Sequence, residues 1–238
     1  MQLKNKELWD NVWKKKKYIT DYQLRFYEYL AKIRDNNLNS NSKVLEVGCG
    51  SGGGLEVFKK FECYGLDISN ESLKVCKEKG IKTINCDARA IEFNDNIFDF
   101  TYSSGLVEHF NPSDRKKIIH EMIRVTKPNG LVLVIIPNKF CLWYRIYKSV
   151  FTLLKKWKYG FEDNLSYFDL KKDLPNNVKI LKKVGIQIII PFATDEKEML
   201  KIGIRKKLII LDKLFPLKHL IGYGTGFLLI KLKPSINK

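Results

Sequence analysis

The rhythm of hydrophobic and polar positions changes near residue 43. Before it, Leu8, Trp13, Tyr18, Leu24, Tyr27, Leu30 and Ile33 stand among charged residues at roughly helical steps. This spacing predicts one or two amphipathic helices. From Lys43 onward, short β-rich runs alternate with helical stretches. The runs are VLEVG (44–48), CYGLDI (63–68), KTINCD (82–87), FDFTYSS (98–104) and LVLVIIP (131–137), and helical patterns lie near 52–60, 69–79 and 112–126. Ser69 and Asn70 suit helix N-caps, and Gly80 suits a C-terminal stop. Strands alternating with helices in this way predict parallel pairing, helices on both faces and right-handed crossovers, a doubly wound α/β sheet. GIQIIIPF (185–192) and GTGFLLIKLK (224–233) read as two further strands.

Composition narrows the setting. The 238 residues are 45% hydrophobic and 12% aromatic, enough for a sizeable core in one large domain. Five cysteines, at 49, 63, 76, 86 and 141, form no paired or metal-ligand spacing, as expected of a reducing compartment. Acids and lysines interrupt the first residues where an export signal needs an apolar run. The longest purely apolar run, Leu131–Ile136, is far short of the ~20 residues that span a bilayer. The expectation is a cytoplasmic protein, soluble or peripheral at the inner membrane surface. A formal charge of +17 favours an anionic partner such as nucleic acid, a phosphorylated metabolite or a lipid surface. Genome base bias toward lysine, isoleucine and asparagine gives the same charge, so charge alone names no partner.

Candidate chemistry begins at VLEVGCGSGGG, where a buried strand runs into glycines. Glycines at 48, 50 and 52 permit tight turning and bare backbone at the carboxyl edge of the sheet, where open α/β folds bind ligands. Two ligands compete for this loop. Gly48, Gly50 and Gly53 satisfy the dinucleotide pattern GxGxxG, with Asp67 following where a ribose-binding acid stands. Glu46, just before the loop, suits a cationic sulfonium and an amino group but repels a pyrophosphate. Asp87-Ala88 ends the third strand, where an acceptor could meet an adenine amino group, and SSGLVEHF ends the fourth at the same crevice.

These strings carry a resemblance. VLEVGCGSG resembles motif I of class I S-adenosylmethionine-dependent methyltransferases, GLDIS their second-strand acid motif and CDA their adenine-contacting motif. FDFTYSSGLVEHF and RVTKPNGLVLVIIPN look like the fourth- and fifth-strand motifs of the small-molecule branch, with its quinone-biosynthesis and sugar-tailoring enzymes. The resemblance covers roughly residues 40–140. It implies a Rossmann-like, seven-stranded, mostly parallel sheet with an antiparallel last strand, which GTGFLLIKLK would supply. Residues 1–42 would form an N-terminal helical cap, 43–138 the cofactor-binding core, 139–184 a helical lid and 185–238 the C-terminal strands of one domain. It also implies roles: Gly48, Gly50 and Gly52 facing the methionine moiety with Glu46 organising the loop, Asp67 on the ribose hydroxyls, Ile68 on the adenine, Asp87 and Ala88 on its amino edge, and Ser104 on the methyl-donor side. His109 is the best-placed candidate base. Arg89 either meets an anionic substrate or stays solvated.

After the fifth strand, 139–160 holds five lysines, one arginine, seven aromatics and no acid. Trp143, Tyr147, Val150, Leu154 and Trp157 fall at helical steps, predicting an amphipathic helix with a basic polar side. With the similarly basic 204–220 it suits either a lid over the pocket or an anionic membrane surface. The expected function is methyl transfer to a small-molecule, sugar or lipid-linked acceptor. The alternatives are a tRNA methyltransferase, for which no RNA-binding module is recognisable, a nicotinamide-dependent oxidoreductase and a binding protein on a degenerate fold.

Overall fold

The computed structural model describes residues 2–15, 21–187 and 217–234. Two helices come first, α1 (Gln2–Lys15) and α2 (Asp21–Asn37). The body follows as β1 (Lys43–Val47), β2 (Glu62–Asp67), α3 (Asn70–Glu78), β3 (Lys82–Asn85), β4 (Phe98–Ser104), α4 (Pro112–Val125) and β5 (Thr126–Pro137). Then come α5 (Leu142–Leu153), α6 (Tyr167–Lys171), β6 (Val178–Ile186), a one-turn helix at Lys218–Ile221 and β7 (Gly224–Lys231). The seven strands form one sheet in the order β3-β2-β1-β4-β5-β7-β6. The first five are parallel, and β7 runs antiparallel between β5 and β6. This is the expected doubly wound, Rossmann-like sheet.

Alternation along the strands sorts the core into two layers. On β5, Val132, Val134 and Ile136 join Leu45, Val47 and the α4 residues Ile118, Ile119 and Met122 on one face. Leu131, Leu133 and Ile135 join Phe100, Tyr102 and the α2 residues Phe26, Leu30 and Ile33 on the other. Strands buried on both faces read as continuous apolar runs, and each large side chain so buried contributes roughly 1.5–3 kcal/mol. A register shift between Phe98 and Phe100 accompanies a change of face: Phe98 packs in the α4 layer, Phe100 and Tyr102 in the α2 layer.

Local signals hold where helices start. Ser69 caps α3 by accepting from Ser72 N, and Asn111 caps α4 by accepting from Asp114 N, with Pro112 next. Gly80, at φ +76°, ends α3 in the left-handed region that glycine tolerates.

Three expectations are corrected. The pattern at 52–60 forms only a short 3-10 helix, Leu55–Phe58, because Gly50 and Gly52, at φ +51° and +71°, keep the chain turning before it. The sixth strand occupies 178–186 rather than 185–192, so the segment expected to be a helical lid already contains β6; of the predicted strand, 188–192 lie outside the described residues. Being an edge strand, β6 keeps its lysines in solvent, which masks the alternation.

The third concerns α5. Its basic residues face inward: Lys148 Nζ bonds Glu162 Oε1 at 3.0 Å and the Glu162 carbonyl at 2.7 Å. Leu142, Ile146, Tyr147, Val150, Leu153 and Leu154 are instead exposed, Leu153 by 83%. A carboxylate as buried as Glu162 needs cations, and that requirement turns the helix. The companion stretch 204–220 lies outside the described residues up to 216.

Candidate functional site

The loop after β1 is built from left-handed glycines: Gly48, Gly50 and Gly52 have φ of 73°, 51° and 71°. Gly48 N and Cys49 N both donate to Leu66 O, at 2.8 and 2.9 Å, tying the loop to β2. Asp67, at the end of β2, accepts from Gly50 N through Oδ2 at 2.8 Å and from Ser69 N through Oδ1 at 2.9 Å. One carboxylate therefore clamps the glycine loop to the start of α3. Burial pushes the Asp67 pKa up, against the pull of those backbone donors. Glu46 is buried beside Tyr102, and a Cβ on Gly54 would stand 2.8 Å from the Tyr102 hydroxyl and 2.9 Å from Glu46 Oε1.

The structure thus gathers Glu46, Gly48, Gly50, Gly52 and Asp67 in one place, with half-buried Ile68 next in the chain. Asn85, unmarked by any motif, donates to the Asp67 and Ile68 carbonyls at 3.1 and 3.0 Å and holds β3 against this corner. Asp87 and buried Ala88 follow β3. Arg89 neither projects toward an anionic substrate nor lies solvated. Its Nη2 bonds Asp87 Oδ2 at 2.6 Å and its Nη1 reaches Asp114 Oδ2 at 2.9 Å, because Asp87 after β3 and Asp114 in the first turn of α4 converge on it. Asp87 is thereby partly committed to an ion pair.

The N-terminal helices roof this loop. The Trp13 ring lies against Gly50 and the Tyr27 hydroxyl against Gly53, where added side chains would collide. Asp10 accepts from Ser69 Oγ at 2.6 Å and from Glu71 N at 3.2 Å. Trp9 meets the His109 ring edge-on at 4.9 Å. Periodicity indicated these helices, but no local pattern says which distant backbone a tryptophan covers.

Beyond β4 lies a cluster of aromatic side chains in mutual contact. Ser104 Oγ and the Tyr22 hydroxyl are 2.9 Å apart. Tyr22 meets Tyr223 edge-on at 4.7 Å, and Tyr223 contacts Trp143 at 5.3 Å and Tyr144 at 4.7 Å. The Tyr144 hydroxyl donates to Glu162 at 2.7 Å. Glu108 is 1% exposed. Its Oε1 lies 3.6 Å from where a Cβ on Gly105 would stand, so the carboxylate folds back to the residue after Ser104. Burial, and then the charge of Glu162, push its pKa well up. His109 Nδ1 donates to Phe161 O at 2.6 Å, and burial lowers its pKa, favouring the neutral ring. With Nε2 3.9 Å from Glu108, His109 anchors the loop at 161 to the end of β4.

Chemically, bare left-handed backbone beside two buried carboxylates, Glu46 and Asp67, fits a ligand with hydroxyl donors and positive charge. It opposes a pyrophosphate, which needs donors without competing anions. The residues present fit S-adenosylmethionine on that ground.

Residues 45–134 match the family described as Methyltransferase domain. Among curated proteins, a tRNA (carboxymethyluridine(34)-5-O)-methyltransferase of Arabidopsis thaliana is 34% identical over 99 residues, 41% of this chain and 24% of that protein. A phosphoethanolamine N-methyltransferase of Plasmodium falciparum is 28% identical over 203 residues, 76% of this chain and 73% of that protein. The chain spans only about a quarter of the length of the first curated relatives it matches. Among solved structures, an S-adenosylmethionine-dependent methyltransferase of Thermotoga maritima superposes with a TM-score of 0.63 at 15% identity, covering 88% of this chain and 90% of that one. That likeness is one of fold.

Proposed function

We propose that this chain, whose residues 45–134 match the methyltransferase-domain family, transfers the methyl group of S-adenosylmethionine to a small-molecule acceptor held at the aromatic cluster beyond β4. The observation that carries this reading is buried Glu108 at the end of β4, near the Ser104–Tyr22 pair, with α1 linking the glycine loop, through Trp13, to His109, through Trp9.

When bound, the donor supplies an electrophilic methyl group on a sulfonium. Gly48, Gly50 and Gly52 would hold its methionine end, with Glu46 facing the cationic groups. Asp67 has lone pairs beyond those given to Gly50 and Ser69 for the ribose hydroxyls, while Ile68, Asp87 and Ala88 would receive the adenine. Ser104 and Tyr22 border the methyl-donor side. Methyl transfer depends chiefly on in-line positioning and exclusion of water, which the roof of α1 and α2 over the glycine loop would favour. His109 positions this roof through Trp9 and Phe161.

The outward stripe of α5, followed by exposed Lys155, Lys156 and Lys158, supports work at an anionic lipid surface, where apolar and basic groups act together. A second reading, tRNA methylation, is supported by the substrate named for the Arabidopsis protein and by the +17 charge. That match covers 41% of the chain, whereas the Plasmodium match covers 76%.

Calorimetric titration with S-adenosylmethionine, S-adenosylhomocysteine and NADH, on wild type and Asp67→Ala, tests the proposal. Tight S-adenosylhomocysteine binding weakened by Asp67→Ala is expected; binding of NADH alone, or of nothing, overturns it. RNA binding that falls steeply with salt, together with methyl incorporation into tRNA, would shift the acceptor to the second reading.

A further inference from the structure

Glu108 is the unexplained group beside the aromatic cluster. Its Oε2 is buried and has no hydrogen-bond partner. The nearby positive charge of Lys148 offsets its burial only in part. Lys148 is bonded to Glu162, and His109 Nε2 stands 3.9 Å away on a ring whose burial favours the neutral form. Glu108 Oε1 folds back to Gly105, next to Ser104, whose hydroxyl is 2.9 Å from that of Tyr22, and Tyr22 meets Tyr223 at 4.7 Å, so the carboxylate and the aromatic cluster meet at the end of β4. A buried carboxylate without a cation weakens a fold, and such groups cluster where a ligand completes them. Tyrosine and tryptophan faces beside it are the other half of a site for positive charge.

We propose that this aromatic cluster binds a small amine in its ammonium form, with Glu108 as counter-charge and Tyr22, Tyr223 and Trp143 as its aromatic wall. That the amine is the methyl acceptor rests on the proposed function; that it binds does not. A protonated amine has no lone pair to offer. Glu108 accepts the proton: the N–H bond breaks, an O–H bond forms, and the ion pair becomes a neutral amine beside a neutral acid. The raised pKa of Glu108 makes this exchange accessible.

The test is calorimetry on the full chain saturated with S-adenosylhomocysteine, using ethanolamine, phosphoethanolamine and histamine as probes and ethylene glycol as the uncharged control. Binding of at least one amine, none of ethylene glycol, and a loss of roughly 30-fold in Glu108→Gln are expected, as for removing one partner of a buried charge pair. S-adenosylhomocysteine should bind Glu108→Gln as it binds wild type. Glu108→Asp, which keeps the charge, should retain amine binding, and Tyr223→Leu should weaken it. The proposal is overturned if no amine binds the saturated protein, or if Glu108→Gln binds amines as well as wild type does. Amine binding in a protein that ignores S-adenosylhomocysteine would uphold the amine site and remove the methyltransferase reading.

Discussion

Trp13 fills the space into which any side chain at Gly50 would project. Gly50→Ala therefore meets two obstacles, the ring and a backbone at φ +51°. The left-handed backbone alone costs about 1–2 kcal/mol, roughly 2–8 °C in a chain of this size. Thermal melts should show at least that loss, with S-adenosylhomocysteine binding weakened. Adding Trp13→Ala should recover part of the stability; no recovery would mean the ring contact is immaterial.

Arg115 is a buried cation shared by Asp173, at 2.6 Å, and Asp163, at 3.2 Å. It pins the segment before β6 beneath α4. Arg115→Ala leaves carboxylates without their cation and should cost about 3–5 kcal/mol. Denaturant titration checks this, and a loss under about 1 kcal/mol would contradict it.

Glu108 also predicts how stability varies with pH. Its folded pKa is raised above an unfolded value of about 4.3. Between those values the folded chain holds more protons than the unfolded one, so stability falls as pH rises through the window. Glu108→Gln removes that fall by removing the buried charge. The variant should be more stable at pH 8 by about 1–3 kcal/mol, the gap narrowing toward pH 4. A gap independent of pH would exclude titration of Glu108 as its cause.

On α5, Ile146 and Leu153 are exposed. Ile146→Asp and Leu153→Asp should change stability by no more than about 0.5 kcal/mol, yet reduce flotation with phosphatidylglycerol vesicles. Equal flotation of variant and wild type, or equal binding to neutral phosphatidylcholine vesicles, would sink the lipid-surface reading.

Most of the sheet was legible because its cause is local. β1, β2, β4 and β5 are buried runs bounded by glycine, acid or cap residues, and Ser69 and Gly80 mark α3 at both ends. β7 was legible for the same reason. What escaped depends on partners far away in sequence. β6 looks helical because an edge strand exposes its lysines, and α5 turned over to meet Glu162. The glycine loop and Asp67 could be read as a site; Trp13 against Gly50, Asn85 behind Asp67 and the isolated oxygen of Glu108 could not, since each is defined by its surroundings.

Helix α1 touches the glycine loop through Trp13 and the end of β4 through Trp9 on His109. On the proposed function, a lift of this helix would uncover the donor and acceptor sides together, so product escape and donor exchange would be the same kinetic event, and turnover would slow with solvent viscosity once that event limits it.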